Sequence, residues 1–368
     1  MHLYIHVPFC ARRCSYCDFA IAVRSRIPER EFVAALMGEW QQRRHHAALA
    51  ASREIDTLYF GGGTPSRLGG WALAEVIDRI TADLPLATGA EVTVEANPDD
   101  VTPALATAWV RAGVNRVSLG AQSHDPVVLE WMHRTHKAEQ VEPAVAMLRD
   151  AGIDNISLDL IFALPREVTR DWQRDLALTL ALDPEHISLY GLTVEPHTPL
   201  ARWTERGSAH AATDDLYAEQ YLLAHRQLLA HGFDHYEVSN AGKPGRWSRH
   251  NSAYWSGTDY LGLGPSAHSL LEGTRSWNIR EWAAYQQASQ SGDLLVAGHE
   301  SLTAAQSELE EVYLGLRTSG GLPKALVPTV ELKSWLREGW ALEADGRIRL
   351  TATGWLRLDT LVSRVVVP

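Results

Sequence analysis

The feature that most restricts the fold is a repeated exchange of two hydrophobic periods. Residues 4–9, 56–60, 91–95, 116–119, 156–161 and 186–190 are short runs rich in β-branched, aromatic and aliphatic side chains. Between them the apolar residues take helical spacing: 28–51, with Ile27, Phe32, Leu36 and Trp40 about one turn apart, then 71–84, 103–112, a stretch reaching 150, and 170–182. Strands that alternate with helices predict a parallel sheet covered by helices, because the return crossover needs a helix-length connection. Six such units precede residue 200, so the fold class is α/β. In barrels of this type the chemistry sits where the strands end.

All three cysteines fall in one loop, as Cys10, Cys14 and Cys17, after the first apolar run. Three soft sulfur ligands select zinc, Cu(I) or an iron–sulfur cluster. A [4Fe–4S] cluster normally takes four thiolates, so three leave one iron open to a small molecule. A Cys3His zinc site completed by His2 or His6 is the structural alternative. Three cysteines in one short loop fit a reducing compartment better than a disulfide framework.

The strand ends supply further polar groups. Gly61-Gly62-Gly63-Thr64-Pro65 closes the second run, where glycine allows close backbone approach. Glu95 closes the third, Gln122 follows the fourth, and Arg134 lies in His133-Arg134-Thr135-His136. Asp159 sits among aliphatic residues, where an unpaired carboxylate is costly to bury. A backbone donor or an arginine is its expected partner.

The Cys-x3-Cys-x2-Cys spacing, with Tyr16 before Cys17, resembles the radical S-adenosylmethionine (SAM) superfamily. That resemblance implies a partial (β/α)6 barrel holding a [4Fe–4S] cluster on Cys10, Cys14 and Cys17. SAM would chelate the open iron, and an electron from the cluster would release a 5′-deoxyadenosyl radical. It further implies SAM-pocket roles for Tyr4, Tyr16, Gly62, Gly63, Thr64, Glu95, Gln122, Arg134 and Asp159. Nearly the whole chain is similar to the branch that holds oxygen-independent coproporphyrinogen III dehydrogenase, HemN, and the haem chaperone HemW. HemN proteins carry another cysteine where this chain has Phe19, and an N-terminal extension, whereas only three residues precede Tyr4 here. Both differences favour HemW. His250-Asn251-Ser252-Ala253-Tyr254-Trp255 and the glycine-rich 260–268 segment resemble the HNxxYW region of HemW, which implies haem binding with His250 as an iron ligand. Without the resemblance, His250 and Asn251 read better as loop ties, with Tyr254 and Trp255 as core.

The implied partners are haem and an unidentified acceptor protein. The coproporphyrinogen dehydrogenase activity is the alternative. A net charge of −11 argues against general nucleic-acid binding. The absence of a signal-peptide pattern or a bilayer-length apolar run predicts a cytoplasmic protein without stable membrane insertion; transient membrane contact and a homodimer stay open. The expected division is 1–200 for the barrel, 201–300 for an extension carrying the HNxxYW segment, and 301–368 for a small α+β unit. In that last unit helices flank a hairpin turning at Asp345-Gly346, giving a winged-helix-like C-terminal domain.

Overall fold

The computed structural model describes residues 1–365; the last three residues of the expected C-terminal unit lie outside the described residues. Six strands run parallel in sequence order: β1 (His2–Val7), β2 (Ile55–Gly62), β3 (Leu86–Ala96), β4 (Arg116–Gln122), β5 (Asn155–Phe162) and β6 (His186–Gly191). Their crossover helices are α1 (Glu29–Arg43), α2 (Gly70–Asp83), α3 (Pro103–Arg111), α4 (Val141–Asp150) and α5 (Trp172–Ala181).

Beyond these units lie β7 (Asp234–Glu237), β8 (Asn240–Gly242), β9 (Tyr260–Leu263), β10 (His268–Leu271), β11 (Thr274–Asn278) and β12 (Val296–Ser301). The sheet order is β12-β11-β10-β9-β1-β2-β3-β4-β5-β6-β8-β7, an open arc rather than a closed barrel. The expected six-unit frame is present, with an addition. Strand β9 also pairs parallel to β1, with Leu3 opposite Leu261 and Tyr4 opposite Gly262, so the residues after the HNxxYW segment are built into the sheet itself.

Three helical stretches are interrupted. The 28–51 stretch breaks after Arg43, where four consecutive cationic or imidazole side chains replace the apolar pattern, and the His46 side chain accepts from the Ala48 N–H to restart a short helix over Ala47–Ala51. The stretch reaching 150 splits into Pro126–Trp131 and α4, with His133 at a positive φ of 57° between them. That left-handed residue ends the first helix and delivers Arg134 toward the sheet. The last helix of the chain divides likewise, into Ala352–Trp355 and Leu358–Val365.

One continuous core joins the sheet to its helices, through residues such as Leu3, Phe60, Val94, Leu119, Leu158 and Trp109, and extends to Trp335, Ile348 and Leu361 of the C-terminal segment. The hairpin expected around Asp345-Gly346 forms between Ala341–Ala344 and Arg347–Leu350, and both turn residues have positive φ. The segments α6 (Arg249–Trp255), α7 (Trp282–Ser291) and α8 (Ala304–Arg317) flank the β9–β12 side.

A buried carboxylate ties this side to α1. Glu39 accepts from the Gly264 N–H (2.8 Å), the Tyr285 hydroxyl (2.7 Å) and the Asn278 amide (2.6 Å). Burial pushes its pKa up while these donors oppose the shift. Tyr285→Phe deletes one donor and is expected to lower the unfolding free energy by about 1–2 kcal/mol, measured by urea denaturation; an unchanged midpoint would remove this tie from the account of stability.

Candidate cofactor and haem sites

The cysteine loop is clamped at its base. Phe9–Cys10 pairs parallel with Ala22–Val23, and the Arg24 N–H donates to the Cys10 carbonyl at 2.9 Å. Two outside contacts hold the loop's middle: the Ser15 N–H donates to the Met132 carbonyl (3.2 Å), and the Leu200 N–H donates to the Ser15 carbonyl (2.9 Å). The Arg12 guanidinium donates to the carbonyls of His133 and Arg134. The loop is therefore fixed against the segment that carries Arg134.

Cys10, Cys14 and Cys17 line one cavity of about 400 Å³ with Tyr16, Gly62, Gly63, Thr64, Glu95, Gln122, Arg134 and Asp159. Every expected member of the SAM pocket except Tyr4 is thus brought together. Among the described residues no three His, Cys, Asp or Glu side chains are placed to hold a single ion. All three cysteines are free thiols. Burial raises the Cys10 thiol and pushes Cys17 up to about 11, so loading metal here releases protons.

The glycines earn their places sterically. A Cβ on Gly63 would stand 2.8 Å from the Pro8 carbonyl carbon and 3.0 Å from the Cys10 Sγ. Gly62 has φ +115°, and its Cβ would meet the His6 ring at 2.6 Å. Thr64 donates its hydroxyl to the Cys10 Sγ at 3.4 Å.

Glu95 accepts from the Tyr59 hydroxyl (2.8 Å) and the Gly62 N–H (3.1 Å), which aims the carboxylate along the cavity wall. Its pKa is raised to about 7, mainly by burial and next by the Asp159 charge. The partners of Asp159 are neither a backbone donor nor an arginine side chain, as the sequence suggested. They are the hydroxyls of Ser118 (3.0 and 3.1 Å) and Ser157 (3.4 Å). Hydroxyls satisfy a carboxylate without neutralising it, and burial accordingly raises its pKa.

Gln122 has φ 64°, and its buried Oε1 has no hydrogen-bond partner among the described residues. An orphaned acceptor in a wall of this kind calls for a donor from a bound molecule. Arg134 donates to Asn97 Oδ1 and to the Gly120 carbonyl (3.0 Å), and lies 3.7 Å from the Cys14 Sγ. Tyr16 packs beside Val128, Met132, Ile161 and Leu164. Sequence reasoning missed Asn97, Ser118 and Tyr190; the strand-end rule would have reached all three, since each lies in or directly after a parallel strand.

The radical SAM superfamily model matches residues 4–179. The heme chaperone HemW of Mycobacterium tuberculosis is 37% identical over 98% of this chain and 93% of its own length. HemW of Bacillus subtilis is 35% identical, covering 96% of each chain. The chain belongs to the HemW family of radical SAM proteins.

Membership in the HemW family implies a [4Fe–4S] cluster and SAM, and the free thiols, the glycine cradle and the orphaned Gln122 acceptor fit both groups. The solved HemN coproporphyrinogen III oxidase of Escherichia coli superposes with a TM-score of 0.81 over 99% of this chain and 89% of that chain at 20% identity, which shows the shared fold.

Two of the expected cofactor-binding residues, Tyr4 from the radical SAM resemblance and His250 from the HNxxYW region, do not line the cluster cavity. Tyr4 lies outside the cluster cavity; its hydroxyl meets His6 Nδ1 at 3.2 Å, and its ring lines a neighbouring cavity. His250 is fully buried, with Nδ1 at 2.7 Å from the Thr57 hydroxyl and Nε2 at 2.8 Å from the Tyr254 hydroxyl. Its backbone N–H donates to Glu91 at 3.0 Å, and its ring stacks on Tyr59 at 4.9 Å. Burial lowers its pKa to about 3. In this conformation both imidazole nitrogens are taken by hydroxyls inside the protein.

Proposed function

We propose that this protein binds haem and hands it to an acceptor protein, while carrying a [4Fe–4S] cluster on Cys10, Cys14 and Cys17 with exchangeable SAM. The observation that carries the reading is the likeness to HemW chaperones along almost the whole chain, joined to a cavity that gathers the three cysteines with every expected SAM-pocket residue except Tyr4. The cluster supplies an electron and an open iron site when bound. This chain's residues do the rest: Gly62, Gly63 and Thr64 form the close-approach wall, Glu95 and Asp159 offer carboxylates to a cation, and Gln122 offers an unpaired acceptor. Arg134 lends positive charge beside the Cys14 sulfur, at 3.7 Å.

An anaerobic haem titration of the reconstituted protein, with coproporphyrinogen turnover assayed on the same sample, tests the proposal. Stoichiometric haem binding without turnover, followed by transfer to an apo-acceptor, is the expected result. Porphyrinogen turnover without specific haem binding would reassign the protein as a dehydrogenase.

A further inference from the structure

A second cavity, of about 590 Å³, opens beside the first and shares Asp18, Phe19 and Gly62 with it. It lies among β1, β9, β10, β11, α6 and α8, and its size is within the roughly 300–1,000 Å³ typical of sites for organic ligands. Five aromatic rings contribute to its walls, those of Tyr4, Phe19, Tyr254, Trp255 and Tyr260. Phe19 is 58% exposed and borders both cavities.

Two histidines reach this cavity, and they differ in what they have left to offer. His6 has Nδ1 against the Tyr4 hydroxyl and donates Nε2–H to the Ala20 carbonyl at 3.0 Å. His268, at the start of β10, is exposed, and its side chain makes no hydrogen bond among the described residues. Partial burial and the nearby Arg275 charge lower its pKa, which leaves the imidazole neutral near pH 7, the form that binds iron. Its strand is drawn in tightly: a Cβ on Gly262 would stand 2.1 Å from the His268 carbonyl oxygen, and one on Gly264 would stand 2.5 Å from that of His6. Those glycines therefore set the approach of the His268 strand to β1.

The cavity also has groups suited to carboxylates. The buried Trp255 indole N–H has no acceptor among the described residues. The exposed Arg280 guanidinium donates to the Asp18 carbonyl at 3.1 Å and pairs with no carboxylate among the described residues. Arg275, by contrast, is already held by Glu310 at 2.7 Å. A free imidazole, aromatic rings in the walls, a buried indole N–H without an acceptor and an exposed guanidinium without a carboxylate match a planar iron tetrapyrrole bearing carboxylate arms.

Resting on the haem-binding reading above, we infer that haem sits in this second cavity with the His268 imidazole as its axial ligand. The HNxxYW segment serves that site through Tyr254 and Trp255 as walls, with His250 holding Tyr254 in place from behind. The cargo lies alongside the cluster cavity, separated from it by Gly62 and Phe19.

The test is a ferric-haem titration of the cluster-reconstituted full chain and of His268→Gly, read by Soret band and EPR, with cluster absorbance and circular dichroism as checks on folding. Because His268 is exposed, the variant is expected to fold, to lose the imidazole-ligated spectrum, and to bind haem more weakly by at least the 10–100-fold that loss of a mere outer partner of a metal ligand costs. Added imidazole should restore the wild-type spectrum. An unchanged spectrum and affinity in folded His268→Gly overturns the assignment of the ligand while leaving the haem carrier standing. Failure of the wild-type chain to bind haem stoichiometrically overturns the carrier reading itself, and this shows before any variant is compared.

Discussion

Replacing Cys14 with alanine should abolish the broad visible absorbance that the wild-type chain gains on anaerobic iron–sulfide reconstitution, and leave far-UV circular dichroism unchanged. Cys14 is the informative cysteine because it is only half-buried, whereas Cys10 is packed against Gly63 and Thr64. Removing its sulfur opens no core cavity, so the expected stability change is within about 0.5 kcal/mol. The cluster, in contrast, is already one thiolate short of the usual four. With two left, and with both remaining thiols raised by burial, nothing compensates for the loss. Full iron content in folded Cys14→Ala would refute the three-cysteine centre.

Glu95→Gln should flatten the dependence of cofactor-free stability on pH. Burial, followed by the Asp159 charge, raises the Glu95 pKa from the usual carboxylate value of 4.5 to about 7. Between those values the folded chain keeps a proton that the unfolded chain has lost. Stability therefore falls as pH rises through that window and levels off above it. The share owed to this residue is on the order of 1–3 kcal/mol, and glutamine, which does not titrate, removes it. Glutamine also gives up the acceptor that meets the Gly62 N–H at 3.1 Å, a loss of about 1 kcal/mol at every pH. The slope between pH 5 and 8 is thus the diagnostic quantity, rather than the level. Parallel stability curves for the two proteins would contradict the assigned titration. In the same variant SAM binding at pH 8 should weaken about tenfold, because the ionised carboxylate that faces a cationic ligand is gone.

These two expectations have an opposite relation to the fold. Cys14 does nothing for stability and everything for the cluster. Glu95 costs stability above neutral pH because it is kept as a buried charge for a ligand, a trade common at binding sites.

Much of the cluster cavity was legible before any coordinates, for a local reason. Cys10, Cys14 and Cys17 share one loop, and Gly62, Glu95, Gln122 and Asp159 lie at or near the ends of strands that pair parallel and in order. In such a sheet, adjacency in space follows adjacency in sequence, so reading where each strand ends is nearly reading the site. Arg134 was found by motif alone. Its route to the Cys14 sulfur depends on the left-handed turn at His133 and on Asn97 of a different strand.

His250 shows where that logic stops. Its sequence context pointed to a metal ligand, yet its ring is closed off by Thr57, a residue 193 positions earlier, and by Tyr254 one turn further along its own helix. From the sequence, the 250–268 segment belongs to an extension of the barrel spanning 201–300. The parallel pairing of β9 with β1 carries it into the sheet, where His250 is buried and His268 is exposed on the interior strand β10.

The sequence by itself determined the α/β frame, the cluster loop and most of the SAM wall, because hydrophobic period, ligand spacing and strand-end chemistry are written in short stretches of chain. The tertiary structure alone decided which histidine is buried, where a second cavity opens and how the arc is extended, because burial and strand pairing are set by contacts between residues far apart in sequence.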